Sequence, residues 1–283
     1  MDLFKDWNNY LADQFNLQDD AREGAHYQYF QKIERHIPKQ KRTLVTTYDF
    51  ECPPDFEEGY RFFKKTVEEG GDLKPFLSRR VDRLDKEDGM HAQWGIRHFH
   101  LGDKFENDGF VSRTGPLIYA LIKPEKIYVI CIALHGKWCD TEIIKVLHDN
   151  WPEVIKPFKV ELEQVNARGD QEDIEENREY NLNELIKMDD GTMYHYANTT
   201  VSGQNEMVVQ AALYMMRAFA SIQKKIEDTL TKNSDYRDAS PKLIVEDALY
   251  KACCETTGFC KDITDEVTSA ISKAEQCIML RED

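Results

Sequence analysis

The chain has no long apolar run, since none of its apolar stretches approaches the roughly 20 residues that a membrane-spanning helix needs. Its first residues show no basic segment followed by an apolar one, so no secretory signal is expected. Cysteine is sparse and odd in number, with seven among 283 residues, and a chain of this length does not need disulfides to fold. We therefore expect reduced thiols, a cytoplasmic location and no membrane partner.

Several motifs of nucleotide and hydrolytic chemistry are missing as well. The sequence has no G-x-x-x-x-G-K-[ST] phosphate loop and no G-x-G-x-x-G after a predicted strand. It also lacks H-E-x-x-H and G-x-S-x-G. These absences argue against a P-loop site and a standard dinucleotide site, and we expect no cofactor.

What is present is an acidic protein with enough apolar residues for a core. Hydrophobic residues make up 41%, and 37 basic against 52 acidic residues give a net charge of −15. Residues 161–190 carry 11 acidic and 3 basic groups, whereas residues 76–160 carry 12 acidic and 13 basic groups. The net charge argues against broad, non-specific binding of nucleic acid, but it does not exclude a polyanionic substrate for residues 76–160.

The pattern of apolar and polar residues divides the chain into four regions. We predict a mainly helical N-terminal region over 1–75, an α/β core with a histidine-rich site over 76–160, an acidic linker or exposed segment over 161–190, and a mainly helical C-terminal region over 191–283. The helices predicted in the last region cover 205–231, 241–256 and 261–280.

Three strands are predicted within the core, over 95–101, 116–122 and 127–134. The last two are joined by a short polar connection, Lys123-Pro124-Glu125-Lys126, and should form an antiparallel hairpin. Both are apolar on each face, which is typical of central strands that are covered on both sides. The predicted fold class is therefore α+β, with a small antiparallel sheet around a central hairpin, flanked by N-terminal and C-terminal helices.

Histidine is concentrated in the core region, which holds five of the eight in the chain: His91, His98, His100, His135 and His148. Residues two apart in a strand project from the same face, so His98 and His100 should lie side by side while Arg97 points the opposite way. Three interpretations stay open. The pair are structural histidines with satisfied hydrogen bonds, metal-free acid–base groups, or zinc or iron ligands with a third ligand from His135, His148 or Asp103.

Further polar residues lie at the open end of the hairpin, where one strand starts and the other finishes. His135 and Lys137 follow the third predicted strand, and Arg113 precedes the second. Because antiparallel pairing brings the start of one strand to the end of the other, Arg113 should lie near His135 and Lys137.

Residues 113–137 resemble the central hairpin of RelE/ParE-type bacterial toxins. The resemblance runs from Arg113-Thr114-Gly115 through Glu125-Lys126-Ile127-Tyr128 to His135-Gly136-Lys137. The resemblance implies a small α+β fold and the activity of a metal-independent ribonuclease of a toxin–antitoxin system. Arg113 would match the arginine before the family's hairpin, and His135 the residue at its end. Such ribonucleases use Arg or Lys to stabilise phosphate charge and His, Glu or Tyr as acid or base.

Our leading hypothesis is an intracellular, toxin-like and metal-independent endoribonuclease that acts on RNA. Its expected catalytic residues are His98, His100 and His135. Its expected substrate-binding residues are Arg113, Lys137, Arg97 and Tyr119. One alternative is a metal-dependent hydrolase with a site at His98 and His100. Another is a non-enzymatic interaction module that binds through a Met-rich helix and the acidic segment. A protein partner or inhibitor, and a homo-oligomer formed through the C-terminal helices, are further expectations.

Overall fold

The computed structural model describes residues 1–17, 19–82, 89–134, 140–160, 185–195 and 205–279. These residues form an α+β fold, as predicted. The helices are α1 (Leu3–Phe15), α2 (Ala25–Arg35), α3 (Glu57–Glu69), α4 (Gly89–Trp94), α5 (Asp140–Asn150), α6 (Glu206–Thr231) and α7 (Thr264–Met279). The strands are β1 (Thr43–Thr46), β2 (Ile96–His100), β3 (Pro116–Ile122), β4 (Lys126–Leu134), β5 (Leu185–Lys187), β6 (Met193–His195), β7 (Lys242–Glu246), β8 (Leu249–Cys254) and β9 (Phe259–Asp262). Among the described residues, no helix combines the length and the apolar character that crossing a membrane requires.

The chain divides into two compact units. The first unit joins Met1–Arg35 to Met207–Arg281, and the second is built from His36–Glu206. These boundaries differ from the four predicted regions, because the first two helices belong with the C-terminal segment. Most of the predicted acidic segment, residues 161–184, lies outside the described residues.

The second unit contains a four-stranded sheet with the strand order β1-β4-β3-β2. β3 and β4 form the predicted antiparallel hairpin, and β2 pairs antiparallel with the other side of β3. The small antiparallel sheet that was predicted also contains one parallel pair, because β1 pairs parallel with β4. A long connection that includes α3 separates these two strands in sequence, which is what parallel pairing needs.

Both faces of this sheet are buried, as the apolar pattern of the hairpin predicts. On one face, Phe99, Ile118 and Val129 pack in a cluster with residues of α3 such as Phe63. On the other, Ile96, Tyr119 and Ile130 pack with residues of α5 such as Leu147. The residues of β2 therefore divide between two different environments according to the face on which they lie.

The first unit places α1, α2, α6 and α7 around one apolar core and adds the three-stranded sheet β7-β8-β9. Its centre includes Trp7, Phe30, Phe219 and Val267, all of which are buried. α6 confirms the prediction over 205–231 closely, because its buried residues keep the 3–4 spacing of an amphipathic helix.

The helix predicted over 241–256 is wrong, because this segment forms the antiparallel pair β7 and β8. Asp247 and Ala248 connect the strands with positive φ angles of 47° and 62°, as a two-residue hairpin turn requires. The side chains of β7 alternate between exposed and half-buried, which is the period of a strand. β9 then occupies Phe259–Asp262, so the last helix begins at Thr264 and not at 261.

The expectation of reduced thiols is also wrong for two cysteines of this sheet. Cys253 of β8 and Cys260 of β9 lie directly opposite each other and form a disulfide. A cross-strand position brings two side chains together on the same face, and such proximity is not visible in the spacing of cysteines along a sequence.

Two glycines of the second unit hold the loop after β2 against its neighbours. A Cβ atom on Gly59 of α3 would lie 1.8 Å from the backbone oxygen of Leu101. A Cβ atom on Gly102 would lie 2.4 Å from the backbone oxygen of Ser112. Both contacts involve backbone atoms, so a side chain could be accommodated only if the loop moved. This loop starts immediately after His100 and is therefore fixed close to it.

Replacing Gly59 with alanine should destabilise the second unit by about 2 kcal/mol or more, since the clash with Leu101 cannot be relieved by a change of rotamer. Gly89→Ala is the matched control, because among the described residues nothing lies within 4 Å of a Cβ atom built at Gly89. The control should stay within about 0.5 kcal/mol of the parent or be slightly more stable. Urea unfolding followed by circular dichroism measures both changes, and equal midpoints for the two variants would contradict the close approach.

Candidate functional site

β2 presents its two histidines on one face of the sheet, as predicted. His98 lies opposite Tyr119 and His100 lies opposite Leu117 in the register of β2 and β3. The ring centroids of His98 and Tyr119 are 6.1 Å apart. Arg97 lies opposite Ala120 and, because side chains alternate along a strand, faces the other side. The histidines therefore share the face of Tyr119, and Arg97 does not join them.

His100 is held in one protonation state. It is only 6% exposed, and its Nδ1 accepts a hydrogen bond from the backbone N–H of Thr114 at 3.2 Å. An accepting Nδ1 carries no proton, so the neutral ring must carry its proton on Nε2. The pKa of His100 is lowered to about 4, chiefly by burial and secondarily by the positive charge of Arg113. At neutral pH, His100 is thus an uncharged hydrogen-bond donor.

Thr114 fixes the end of β2 through three hydrogen bonds. Besides the bond from its N–H to His100, its Oγ1 accepts from the backbone N–H of Leu101 at 3.0 Å and donates to the backbone oxygen of Pro116 at 2.7 Å. One residue therefore closes the loop between β2 and β3 at both of its ends. The exposed Arg113 precedes it directly, and the charge of its guanidinium contributes to the lowered pKa of the buried imidazole.

The structure adds Arg79, a residue that sequence reasoning did not assign to the site. Its guanidinium bonds the carboxylates of Glu106 and Asp108 and lies 5.9 Å from the ring centroid of Phe110. Its positive charge contributes to the lowered pKa of His100. The contact depends on the loop between β2 and β3 folding back over the segment that carries Arg79, and no local pattern in the sequence shows this.

The remaining predicted residues do not extend the site within the described chain. Tyr119 is 1% exposed and Arg97 is 8% exposed, so both belong to the interior of the sheet. His135 and Lys137 lie outside the described residues. The site that the structure describes therefore consists of His98, His100 and Arg113, with Arg79 nearby.

A metal site at His98 and His100 would need a third ligand, and the described part of the chain does not place one beside them. Among those residues, no group of three or more His, Cys, Asp or Glu side chains is arranged to hold a metal ion. Asp103 and His148, two of the third ligands considered from the sequence, therefore do not complete a site with the pair. His135, the other candidate, stays a prediction.

His148 instead belongs to a second polar cluster, with residues of the hairpin formed by β5 and β6. Its Nδ1 lies 2.8 Å from the hydroxyl oxygen of Tyr194, and its Nε2 lies 3.4 Å from Asp190. Burial, and secondarily the charge of Asp190, raise the pKa of Tyr194. Because Tyr194 is 1% exposed, its hydroxyl is not accessible to a substrate. The cluster ties β6 to α5 and acts in packing.

No protein-family model, curated protein or solved structure matches this chain. A functional assignment therefore depends on the chemistry of the residues at the end of β2. That chemistry combines a neutral, buried hydrogen-bond donor at His100, a second imidazole at His98 and an exposed guanidinium at Arg113.

The pKa of His100 makes a prediction about acid stability. Its folded-state pKa lies below that of the unfolded chain, so the unfolded state takes up the proton first as the pH falls. Stability contributed by the neutral ring is complete above the unfolded value of about 6.5 and is lost as the pH falls toward about 4. We expect this loss to be on the order of 3 kcal/mol, and to be absent in His100→Asn, whose amide oxygen can still accept from Thr114.

An NMR titration of the ring protons of His100, with free histidine in the same buffer as the reference, measures the pKa directly. Urea unfolding at pH 7 and pH 4.5, for the parent and for His100→Asn, measures its effect on stability. A His100 midpoint equal to that of free histidine, or the same loss of stability in both proteins, would contradict a neutral and buried ring.

Proposed function

We propose that this chain is an RNA-cleaving protein of the toxin-like, metal-independent kind, with its site at the end of β2. One observation supports this most directly: Thr114 bonds the segment that carries the exposed Arg113 to the end of β2, the strand whose histidine face includes the half-buried His98. An imidazole and a cation in one region suit a phosphodiester, whose charge grows as it is attacked.

In this proposal, Arg113 binds the scissile phosphate, and the buried His100 positions the segment that carries it through Thr114. The guanidinium contributes charge and paired donors, which match the oxygens of a phosphate. His100 is therefore assigned to positioning, whereas sequence reasoning expected it to act in proton transfer, because it is only 6% exposed and its Nδ1 is already engaged by Thr114.

His98 is the proposed general base. It would take the proton from the 2′-hydroxyl that attacks the neighbouring phosphate, a step that only RNA can undergo. The ring of Tyr119 lies beside His98 and is buried, so it is assigned to orienting the imidazole and not to contact with RNA. Protonation of the leaving oxygen is assigned to His135, as the resemblance to RelE/ParE-type toxins implies, and Lys137 keeps its predicted role in phosphate binding. These roles, and the resemblance itself, stay predictions.

The acidic character of the chain is compatible with this proposal. Glu106 and Asp108 pair with Arg79, so their negative charges offset the positive charge that this arginine brings to the site. Binding of RNA would depend on placed donors more than on a broad basic surface. Such a site should prefer particular RNA segments and should bind duplex DNA weakly.

A cleavage assay tests the proposal. Labelled RNA and labelled DNA are each incubated with the purified chain, with and without EDTA. We expect EDTA-resistant cleavage of RNA and none of DNA. His98→Ala should reduce the rate by roughly 10²–10⁴-fold, as expected for loss of a general base, and Arg113→Ala by about 10²-fold or more. His36→Ala and Arg61→Ala are matched controls, because both residues are exposed elsewhere in the second unit, and they should cleave like the parent.

The contrary outcomes point to the two alternatives. Cleavage that EDTA abolishes and Zn²⁺ or Mn²⁺ restores would replace the proposal with a metal-dependent hydrolase at His98 and His100. Unchanged cleavage by His98→Ala would remove the assigned base. If the folded chain cleaves neither nucleic acid, the non-enzymatic interaction module becomes the better description, with the acidic segment and the exposed Leu213 and Met216 of α6 as its binding surface.

A further inference from the structure

The disulfide of the first unit lies on the accessible face of its sheet. Cys260 is exposed and Cys253 is half-buried, and the neighbouring side chains on this face include the exposed Lys242 and Ile244 of β7. Lys242 lies directly opposite Cys253 in the register of β7 and β8. A cation beside a disulfide stabilises the thiolate that leaves when the bond is attacked, so this position favours exchange with an incoming thiol.

Cys254 follows Cys253 directly and therefore points to the opposite face, into the core of the first unit. It is 7% exposed and packs in the same cluster as Phe259 and Ile263. Its Sγ lies 3.1 Å from Oγ1 of Thr256, in the connection that joins β8 to β9. The hydroxyl of Thr256, followed by that of Thr257, lowers the pKa of Cys254 to about 6. The core thus contains a thiol whose ionised form is stabilised but which is covered.

The same short hairpin carries the disulfide and covers the thiol. Residues 255–258 connect the strands, and the backbone N–H of Gly258 donates to the oxygen of Cys254 at 2.9 Å. Cys253 pairs with Cys260. The next pair toward the connection, Cys254 with Phe259, is the last pair before it. Breaking the Cys253–Cys260 disulfide therefore weakens the adjacent pairing of Cys254 with Phe259.

We propose that Cys253 and Cys260 form a reversible redox site that controls access to Cys254: while the disulfide is intact the hairpin encloses this thiol, and after reduction the hairpin opens and exposes Cys254. The co-reactant is a dithiol reductant. The site lies in the first unit and is independent of the function proposed for the second.

The chemistry of the switch is a two-electron thiol–disulfide exchange. A thiolate of the reductant attacks the more exposed sulfur, that of Cys260, and the Cys253 thiolate leaves and takes up a proton. The second thiol of the reductant then attacks the mixed disulfide and releases the thiol of Cys260. The sulfur–sulfur bond of the chain breaks and one forms in the reductant, so the chain gains two electrons and two protons and the dithiol loses them.

The test measures how fast Cys254 is alkylated in each redox state of the full chain. The protein is equilibrated in mixtures of reduced and oxidised dithiothreitol and pulsed with iodoacetamide at pH 7. Remaining thiols are trapped with N-ethylmaleimide, and the peptides are read by mass spectrometry. We expect Cys253 and Cys260 to become reduced together while the chain stays folded, and alkylation of Cys254 to rise roughly tenfold or more over the same range.

Two comparisons make the result specific. Cys52, a partly exposed thiol of the second unit, should be alkylated at one rate throughout. The double variant C253S/C260S should show the fast rate for Cys254 whether or not reductant is present. Hydrogen exchange should increase in β8 and β9 of this variant and stay unchanged in β3 and β4.

Three results would overturn the proposal. The first is an alkylation rate of Cys254 that is the same in the oxidised and reduced chains and in the double variant. The second is a disulfide that dithiothreitol reduces only when the chain unfolds, which would make it a fixed structural bond. The third is the recovery of Cys253 and Cys260 as free thiols after equilibration with excess oxidised dithiothreitol.

Discussion

The hydrogen bond from the backbone of Thr114 to Nδ1 of His100 determines most of what the second unit presents at the end of β2. A buried imidazole without a partner would be costly, and a charged one more so. The bond satisfies one ring nitrogen and fixes the proton of the neutral ring on the other, while burial lowers the pKa of the ring. It also ties the segment before β3 to the end of β2. Since Arg113 immediately precedes Thr114, the same bond fixes the backbone that carries this exposed guanidinium.

Packing elsewhere in the unit makes this arrangement rigid. The close approach of Gly59 to Leu101, and of Gly102 to Ser112, leaves the loop after β2 no room to move toward α3 or toward the segment that precedes β3. The ion pairs of Arg79 with Glu106 and Asp108 hold the far part of the loop. Placed donors stabilise developing charge only when they do not have to reorganise. The loop meets this condition through backbone packing, which is stiffer than contact between flexible side chains.

The sequence was most informative where one local pattern decided the structure. The hairpin of β3 and β4 followed from two strands apolar on both faces and a short polar connection, and the shared face of His98 and His100 followed from the period of a strand. The parallel pairing of β1 with β4 could not be predicted, because it depends on where a long connection returns. The position of Arg79 near His100 depends on tertiary contact in the same way.

The error at residues 241–256 has a different physical cause. Ser240-Pro241 is a common start for a helix, but the residues that follow alternate between exposed and half-buried positions, and a turn at Asp247 and Ala248 separates two short strands. The local start signal and the longer alternation conflicted, and burial of alternate side chains against the helices of the first unit prevailed. The pairing of β8 with β9 brings Cys253 and Cys260 together, so the disulfide was hidden by the error that made residues of β8 helical.

The two units use one physical device for different chemistry. Each shields a reactive side chain on the inner face of a strand and bonds it to an adjoining connection, Thr114 for His100 and Thr256 for Cys254. Burial lowers the pKa of His100, whereas the hydroxyls of Thr256 and Thr257 lower the pKa of Cys254. The difference lies in what each contact holds. The bond to His100 fixes the segment that carries the exposed Arg113, whereas the bond to Cys254 holds a thiol that becomes reachable only if its hairpin opens. The first arrangement suits placement of a cation for an anion at all times, and the second suits a reaction that depends on the redox state of the neighbouring pair.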